Sequence, residues 1–154
     1  MQNRGIIAGI DYGTVRIGIA ISDADRILAS PYEIYIRRSP EKDTEYFRQL
    51  VSVGQITRFV LGLPIHLSGD LSKKAKEVIR FGRWLHNRTG IEIDYFDERY
   101  TSTEAEHLLR EAGLTAKKRK ERRDKLAAQI ILSAYLEAGC VGTTKFLGIE
   151  DEEL

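Results

Sequence analysis

Cysteine is almost absent: Cys140 is alone in 154 residues, so no internal disulfide can form, and the chain fits a reducing compartment. Histidine is scarce as well, and His66, His86 and His107 lack any metal-ligand spacing, which argues against a zinc site. No long hydrophobic run exists. The stretch from Gly5 to Ile10 is broken by Asp11, too soon for a signal-peptide core or a membrane span, so the expected location is the cytoplasm, with no membrane partner. Proline is rare, with 3 residues, while 42% hydrophobic and 31% charged residues describe a soluble globular chain rather than a disordered or fibrous one. At this length one hydrophobic core is sustainable and two ordinary ones are not. A single domain over residues 1–149 is expected, followed by a flexible acidic tail at 150–154.

Charge of either sign is not in excess either, since the net value is +1. Its distribution is more informative. Glu150, Asp151, Glu152 and Glu153 fall in the last five residues, and without them 24 basic residues face 19 acidic ones, a mildly basic body of +5. The densest basic run is "KKRKERR", Lys117 to Arg123, with six positive charges in seven residues; Arg37/Arg38 and Lys73/Lys74/Lys76 form smaller groups. Such a run reads either as a solvated face or as a phosphate-contacting loop.

Residues 5–10 and 16–22 are short Ile-rich runs separated by "DYGTV" and read as two strands joined by a tight turn. Residues 28–37 read as a third strand, which Pro31 pushes toward a sheet edge. From Pro40 to Gly54 the pattern is helical, with Ser39 as the cap and Tyr46, Phe47, Leu50 and Val51 on one side. "RFVLGLP" reads as a buried strand. Leu71, Ala75, Val78, Ile79, Gly82 and Leu85 recur at helical spacing up to Gly90, with Trp84 read as a packing residue. "IEIDYF" is the next strand, "TSTEAEHLLREAG" opens with a capping-box pattern, and "DKLAAQIILSAYLEAG" is the clearest helix of the chain. Three strands in antiparallel order followed by alternating units predict an α/β fold with a mixed five-stranded sheet flanked by helices. Beyond the tail, only part of 114–123 reads as disordered.

Three acids stand where an acid is costly. Asp11 ends the first apolar strand, and Glu98, beside Asp97, ends the fifth. Asp124 lies one turn before the apolar stripe Ala127, Ala128, Ile131, Leu132, Tyr135 and Leu136, on the core-facing side of its helix. Taken singly, Asp124 is a helix cap or first-turn acid and Asp11 a turn residue. Taken together they fall where the carboxyl ends of neighbouring strands usually build a site. Converging within ~5 Å, each pair would repel by roughly 3 kcal/mol at an effective dielectric of ~20, so the site would call for a proton or a cation. Oxygen ligands suit Mg²⁺ or Mn²⁺, and two ions ~4 Å apart would suit in-line phosphodiester hydrolysis. Spacing does not choose between Asp97 and Glu98.

The phrases "DYGTVRIGIA", "VLGLP" with "SGD", "DERYTSTEA" and "RRDKLAAQIILSAYL", in that order over roughly residues 6–137, resemble the YqgF family, the RuvC-like branch of the ribonuclease H-like fold. The resemblance implies a ribonuclease H-like architecture and a metal-dependent endonuclease acting in 5′-end maturation of precursor 16S rRNA, or alternatively on four-way DNA. It implies Asp11, Glu98 and Asp124 as catalytic and metal-binding carboxylates. It chooses Glu98 over Asp97. The family often carries Asn in the loop after "GLP" where this chain has His66, a departure that bears on that loop's contacts and not on the metal site.

Substrate contacts are expected from Arg16 and Arg99, each either an ion-pair partner or a phosphate clamp, and from Lys117, Lys118, Arg119, Lys120, Arg122 and Arg123, which lead directly into Asp124. Gly13 and Gly18 serve turn and packing, and Gly13 would also let a substrate backbone approach Asp11. Two other classes compete. "DYGT" also resembles the first phosphate loop of sugar kinases and actin-like ATPases, but those need two such domains. A non-catalytic RNA-binding protein of the same fold would be expected to lack one of the carboxylates. The partner is nucleic acid in the favoured readings, precursor rRNA or branched DNA, with the chain a monomer or, for symmetric junction cleavage, a homodimer.

Overall fold

Apolar residues alternate along the first two extended segments, and each segment finds a partner that satisfies its backbone. β1 (Ile6–Asp11) pairs antiparallel with β2 (Arg16–Ser22), which pairs antiparallel with β3 (Ala29–Ile36). The chain then crosses through α1 (Pro40–Gly54) to β4 (Ile56–Leu63), parallel to β1, and through α2 (Lys73–Thr89) to β5 (Glu92–Asp97), parallel to β4. A 3-10 turn (Glu98–Tyr100) follows, and α3 (Ala116–Glu137) is the final helix described. The computed structural model describes residues 5–65, 71–101 and 115–142. Strand order is β3-β2-β1-β4-β5, the mixed five-stranded sheet expected from the sequence.

Local chemistry sets the helix ends. The Ser39 hydroxyl accepts from the Lys42 amide at 3.2 Å, Pro40 occupies the first turn, and Gln55 closes α1 at φ 52°. Ser72 accepts from the Ala75 amide at 3.0 Å, so α2 starts at Lys73 rather than Leu71; Gly90, at φ 73°, ends it.

The last helix departs from expectation. It begins at Ala116, capped by the Thr115 side chain, so the basic run forms its first two turns. The expectation of disorder in part of 114–123 is thereby corrected from residue 116 onward: Thr115 supplies the cap, and an Ala-, Lys- and Arg-rich run favours helix. Asp124 then lies about two turns inside the helix, so neither capping nor dipole complementation accounts for it. The expected helix at 101–113 and the tail at 150–154 lie outside the described residues, apart from Thr101.

The sheet is covered on both faces. α1 and α2 bury Ala8, Ile10, Ile17, Ile19, Phe59 and Leu61 on one side, around Phe47. Phe47 is wholly enclosed, with Tyr35, Tyr46, Phe59, Phe81 and Trp84 at ring separations of 5.2–6.5 Å. α3 covers the other side over Ile7, Ala20, Val60 and Phe96, with Leu132 and Tyr135. Alternation along β1 sends Ala8 and Ile10 to the first face, and Ile7, Gly9 and Asp11 to the face under α3. Parallel pairing of β1, β4 and β5 brings their carboxyl ends to one edge, where open α/β sheets hold their sites.

Candidate active site

Asp11 is the last residue of β1 and pairs with Gly18 of β2. A Cβ added at Gly18 would stand 3.5 Å from the Asp11 Cβ and 3.6 Å from the Ala128 Cβ, so the aspartate side chain and α3 flank one bare spot on the sheet. Asp124 is one helical turn before Ala128 on the same stripe, at the edge where Asp11 emerges. It is exposed, and its charge raises the pKa of Asp11 after burial, the larger cause.

Glu98 reaches the same place from the other side. Leu61 of β4 lies opposite Ile10 of β1, so Gly62 is the next residue along, beside Asp11. A Cβ at Gly62 would meet the Glu98 Oε1 at 2.6 Å and would collide with the Ile131 Cδ1. The glutamate therefore folds back over β4, one strand from Asp11, a spacing of ~4.8 Å. Burial pushes the Glu98 carboxyl up to about 7, and the Asp11 charge adds to the rise. Asp97, left open by spacing, does something different. It is 3% exposed, accepts the Arg99 amide at 2.9 Å, and takes Arg99 Nε and Nη2 at 2.9 and 2.6 Å.

Of the two readings for Arg99, the structure holds the ion pair. Arg16 opens β2 and is exposed, and among the described residues no carboxylate forms a salt bridge with it. Lys117 and Lys118 are exposed on the first turn of α3, and Arg122 is partly buried one turn later; the side chains of Arg119, Lys120 and Arg123 lie outside the description. Gly13 has a local reason: a Cβ there would collide with the Arg16 carbonyl oxygen, so bareness closes the turn. His66 and its loop fall outside the described residues.

One residue of the site was not singled out by sequence. Lys74, on the first turn of α2, lowers the pKa of both Asp11 and Glu98, and lines a cleft of about 540 Å³ with Glu77 and the turn Tyr12 to Arg16. The available signal was Lys73, Lys74 and Lys76 in a first turn without an acid, where the helix dipole favours acids. The turn is braced from behind by Arg37, which donates to the Tyr12 hydroxyl at 3.0 Å and to Asp43 at 3.3 Å.

Hard oxygen donors, two of them, Asp11 and Glu98, raised by burial and by a neighbour's charge, suit a divalent cation. Among the described residues, no three side chains of His, Cys, Asp or Glu are gathered tightly enough to enclose an ion as they stand. The electrostatic chain runs through Asp11, which is coupled to Asp124 on one side and to Glu98 on the other.

Residues 5–138 match the sequence model of a family described as RuvX, Holliday junction resolvase. The chain belongs to the RuvX family. This is the YqgF family that the motifs resemble. A Rhodopirellula baltica protein named "Putative pre-16S rRNA nuclease" is 48% identical over 134 residues, covering 87% of this chain and 78% of that one. One of the same name from Syntrophomonas wolfei is 43% identical over 136 residues, covering 88% and 96%. Among solved structures, Thermus thermophilus RuvC in complex with a Holliday junction substrate aligns at TM-score 0.54 and 11% identity, over 89% of this chain and 98% of that one. That likeness is one of fold: the RuvX chain shares the fold of RuvC. With the family comes the class of chemistry, hydrolytic cleavage of nucleic acid. No helix among the described residues is long and apolar enough to cross a membrane.

Proposed function

We propose that this RuvX protein is a divalent-metal-dependent endonuclease that cuts precursor 16S rRNA in the maturation of its 5′ end, with Asp11, Glu98 and Asp124 as its ligands. The observation that carries the reading is the carboxyl of Glu98, lying over Gly62 next to Asp11, itself within the field of Asp124. Asp11 and Glu98 lie at neighbouring strand ends, Asp124 acts on Asp11 through its charge from α3, and neither turn nor cap chemistry accounts for the set.

Mg²⁺ or Mn²⁺, as two ions, would supply an activated water and charge stabilisation of the leaving oxygen. This chain's own residues do the rest. Asp11, fixed by its pairing with Gly18, sets the position of the site on the rigid sheet. Glu98 is held by the space above Gly62 and by the turn that follows β5, where the Thr101 amide donates to its carbonyl at 3.1 Å. Asp124 enters from α3, whose lysine-bearing first turn projects roughly 10 Å beyond it at 1.5 Å per residue, offering Lys117 and Lys118 to the substrate backbone.

The relatives' shared name favours precursor rRNA, while the family description and the fold's likeness to a junction-bound RuvC favour four-way DNA as the second reading. Purified protein given Mg²⁺ or Mn²⁺ with a 5′-extended 16S precursor and, separately, a synthetic four-way junction decides between them. Cleavage of the RNA, abolished by Asp11→Asn, is the expected result. Metal-dependent cleavage that survives in purified Asp11→Asn overturns the ligand assignment.

A further inference from the structure

We propose that Lys74 is a phosphate-positioning residue of this site, which together with Arg16 grips a phosphodiester of the substrate strand next to the one that is cut. The proposal rests on the nuclease reading and adds a residue to it. Lys74 and Arg16 line the cleft of about 540 Å³ that begins immediately after Asp11, bounded by the turn from Tyr12 to Arg16 and the first turns of α2. That volume falls within the ~300–1,000 Å³ of ordinary ligand sites, room for a nucleotide unit. Arg16 has no carboxylate partner among the described residues, and neither has Lys74.

Lys74 and its neighbour Lys73 are both exposed, but Lys74 faces the site. Its charge acts on both Asp11, at the end of β1, and Glu98, in the turn after β5, without forming a salt bridge with either. Lys73, one residue earlier and equally exposed, neither lines the cleft nor acts on either acid. A lysine at this point of a helix opposes the dipole, so stability does not explain it. A strand threading from the carboxylates into the cleft would pass a phosphate by two cations, Arg16 from the turn and Lys74 from α2, in a lining that also holds Glu77, fixing its register by charge and not by base identity.

The test compares wild type, Lys74→Ala, Lys74→Arg and Lys73→Ala on a fluorescent RNA hairpin with a single-stranded 5′ extension. Binding is measured first in EDTA across a salt series, where no cleavage occurs. Lys74→Ala is expected to bind roughly tenfold more weakly and to lower the slope of log affinity against log salt by roughly 0.7–0.9, one phosphate contact. Lys74→Arg should restore most of the loss, and Lys73→Ala should match wild type. In Mg²⁺, Lys74→Ala should raise KM with kcat held within about twofold, the mark of lost positioning. An unchanged slope in Lys74→Ala, an equal loss in Lys73→Ala, or a wild type that does not bind the RNA overturns the proposal. Wild type that binds but never cleaves would overturn the nuclease reading instead, leaving the slopes to decide Lys74.

Discussion

Replacing Glu98 by Gln tests the charge crowding at the sheet edge without touching substrate. The folded carboxyl is raised from 4.5 to about 7, first by burial and then by the charge of Asp11. A raised carboxyl binds its proton more tightly in the folded chain. Its contribution to stability is therefore complete below about pH 4.5 and lost as pH climbs through about 7. Between pH 5 and pH 8, metal-free wild type should lose roughly 2–3 kcal/mol through this one group, since a tenfold change in proton affinity is worth about 1.4 kcal/mol. Gln has nearly the same shape and never ionises. Melting followed by circular dichroism in EDTA should show Glu98→Gln gaining on wild type by about 5–10 °C more at pH 8 than at pH 5, at 2–4 °C per kcal/mol for a chain of this size. Addition of Mg²⁺ should raise the melting temperature of wild type and close part of the gap, because a cation relieves the same repulsion. Equal differences between the two proteins at both pH values would mean that Glu98 ionises as an ordinary surface acid, and the crowding argument would fall.

Gly62→Ala places a methyl against the Glu98 Oε1 and the Ile131 Cδ1; it should cost about 1–3 kcal/mol in denaturant unfolding and cut the cleavage rate by about 100-fold, from a displacement near 1 Å. Neutralising Lys117 and Lys118 on the first turn of α3 should flatten the salt dependence of RNA binding by roughly two ions, leaving the melting temperature unchanged. Tyr135→Phe removes the hydroxyl that donates to Asp94 at 2.6 Å and accepts from Arg58 at 3.1 Å, so it should lower stability by about 1–3 kcal/mol in a denaturant titration. That cluster sits toward the C-terminal end of α3, so cleavage by the folded variant should match wild type.

Much of this protein was legible without coordinates. The alternating Ile runs, the Ser39 cap before Pro40, and Gly90 after the helix it closes are short-range signals, and each recurs in the fold because local sterics and hydrogen bonding act over a few residues. Asp11 and Asp124 could be suspected from apolar patterning, since an acid on a buried face is costly; Asp11 is indeed largely enclosed, whereas Asp124, expected on the core-facing side, is exposed where the helix runs past the sheet edge. What the pattern misjudged was the start of the last helix. A charged run without apolar spacing resembles a loop, yet its residues are good helix formers once Thr115 caps them and the apolar half docks on the sheet.

Other decisions belonged to the tertiary structure alone. Of the neighbouring acids at 97 and 98, Asp97 ends β5 and Glu98 opens the turn that follows it. Only the placement of β4 between β1 and β5, with a bare Gly62 beneath, puts Glu98 beside Asp11 and leaves Asp97 to Arg99. Lys74 was one lysine among three until the crossover from β4 set the first turn of α2 against the loop after Asp11. Periodicity reports which side of its own element a residue occupies. Which side chains from distant elements share a field depends on strand order, and strand order is settled when the whole sheet buries both of its faces.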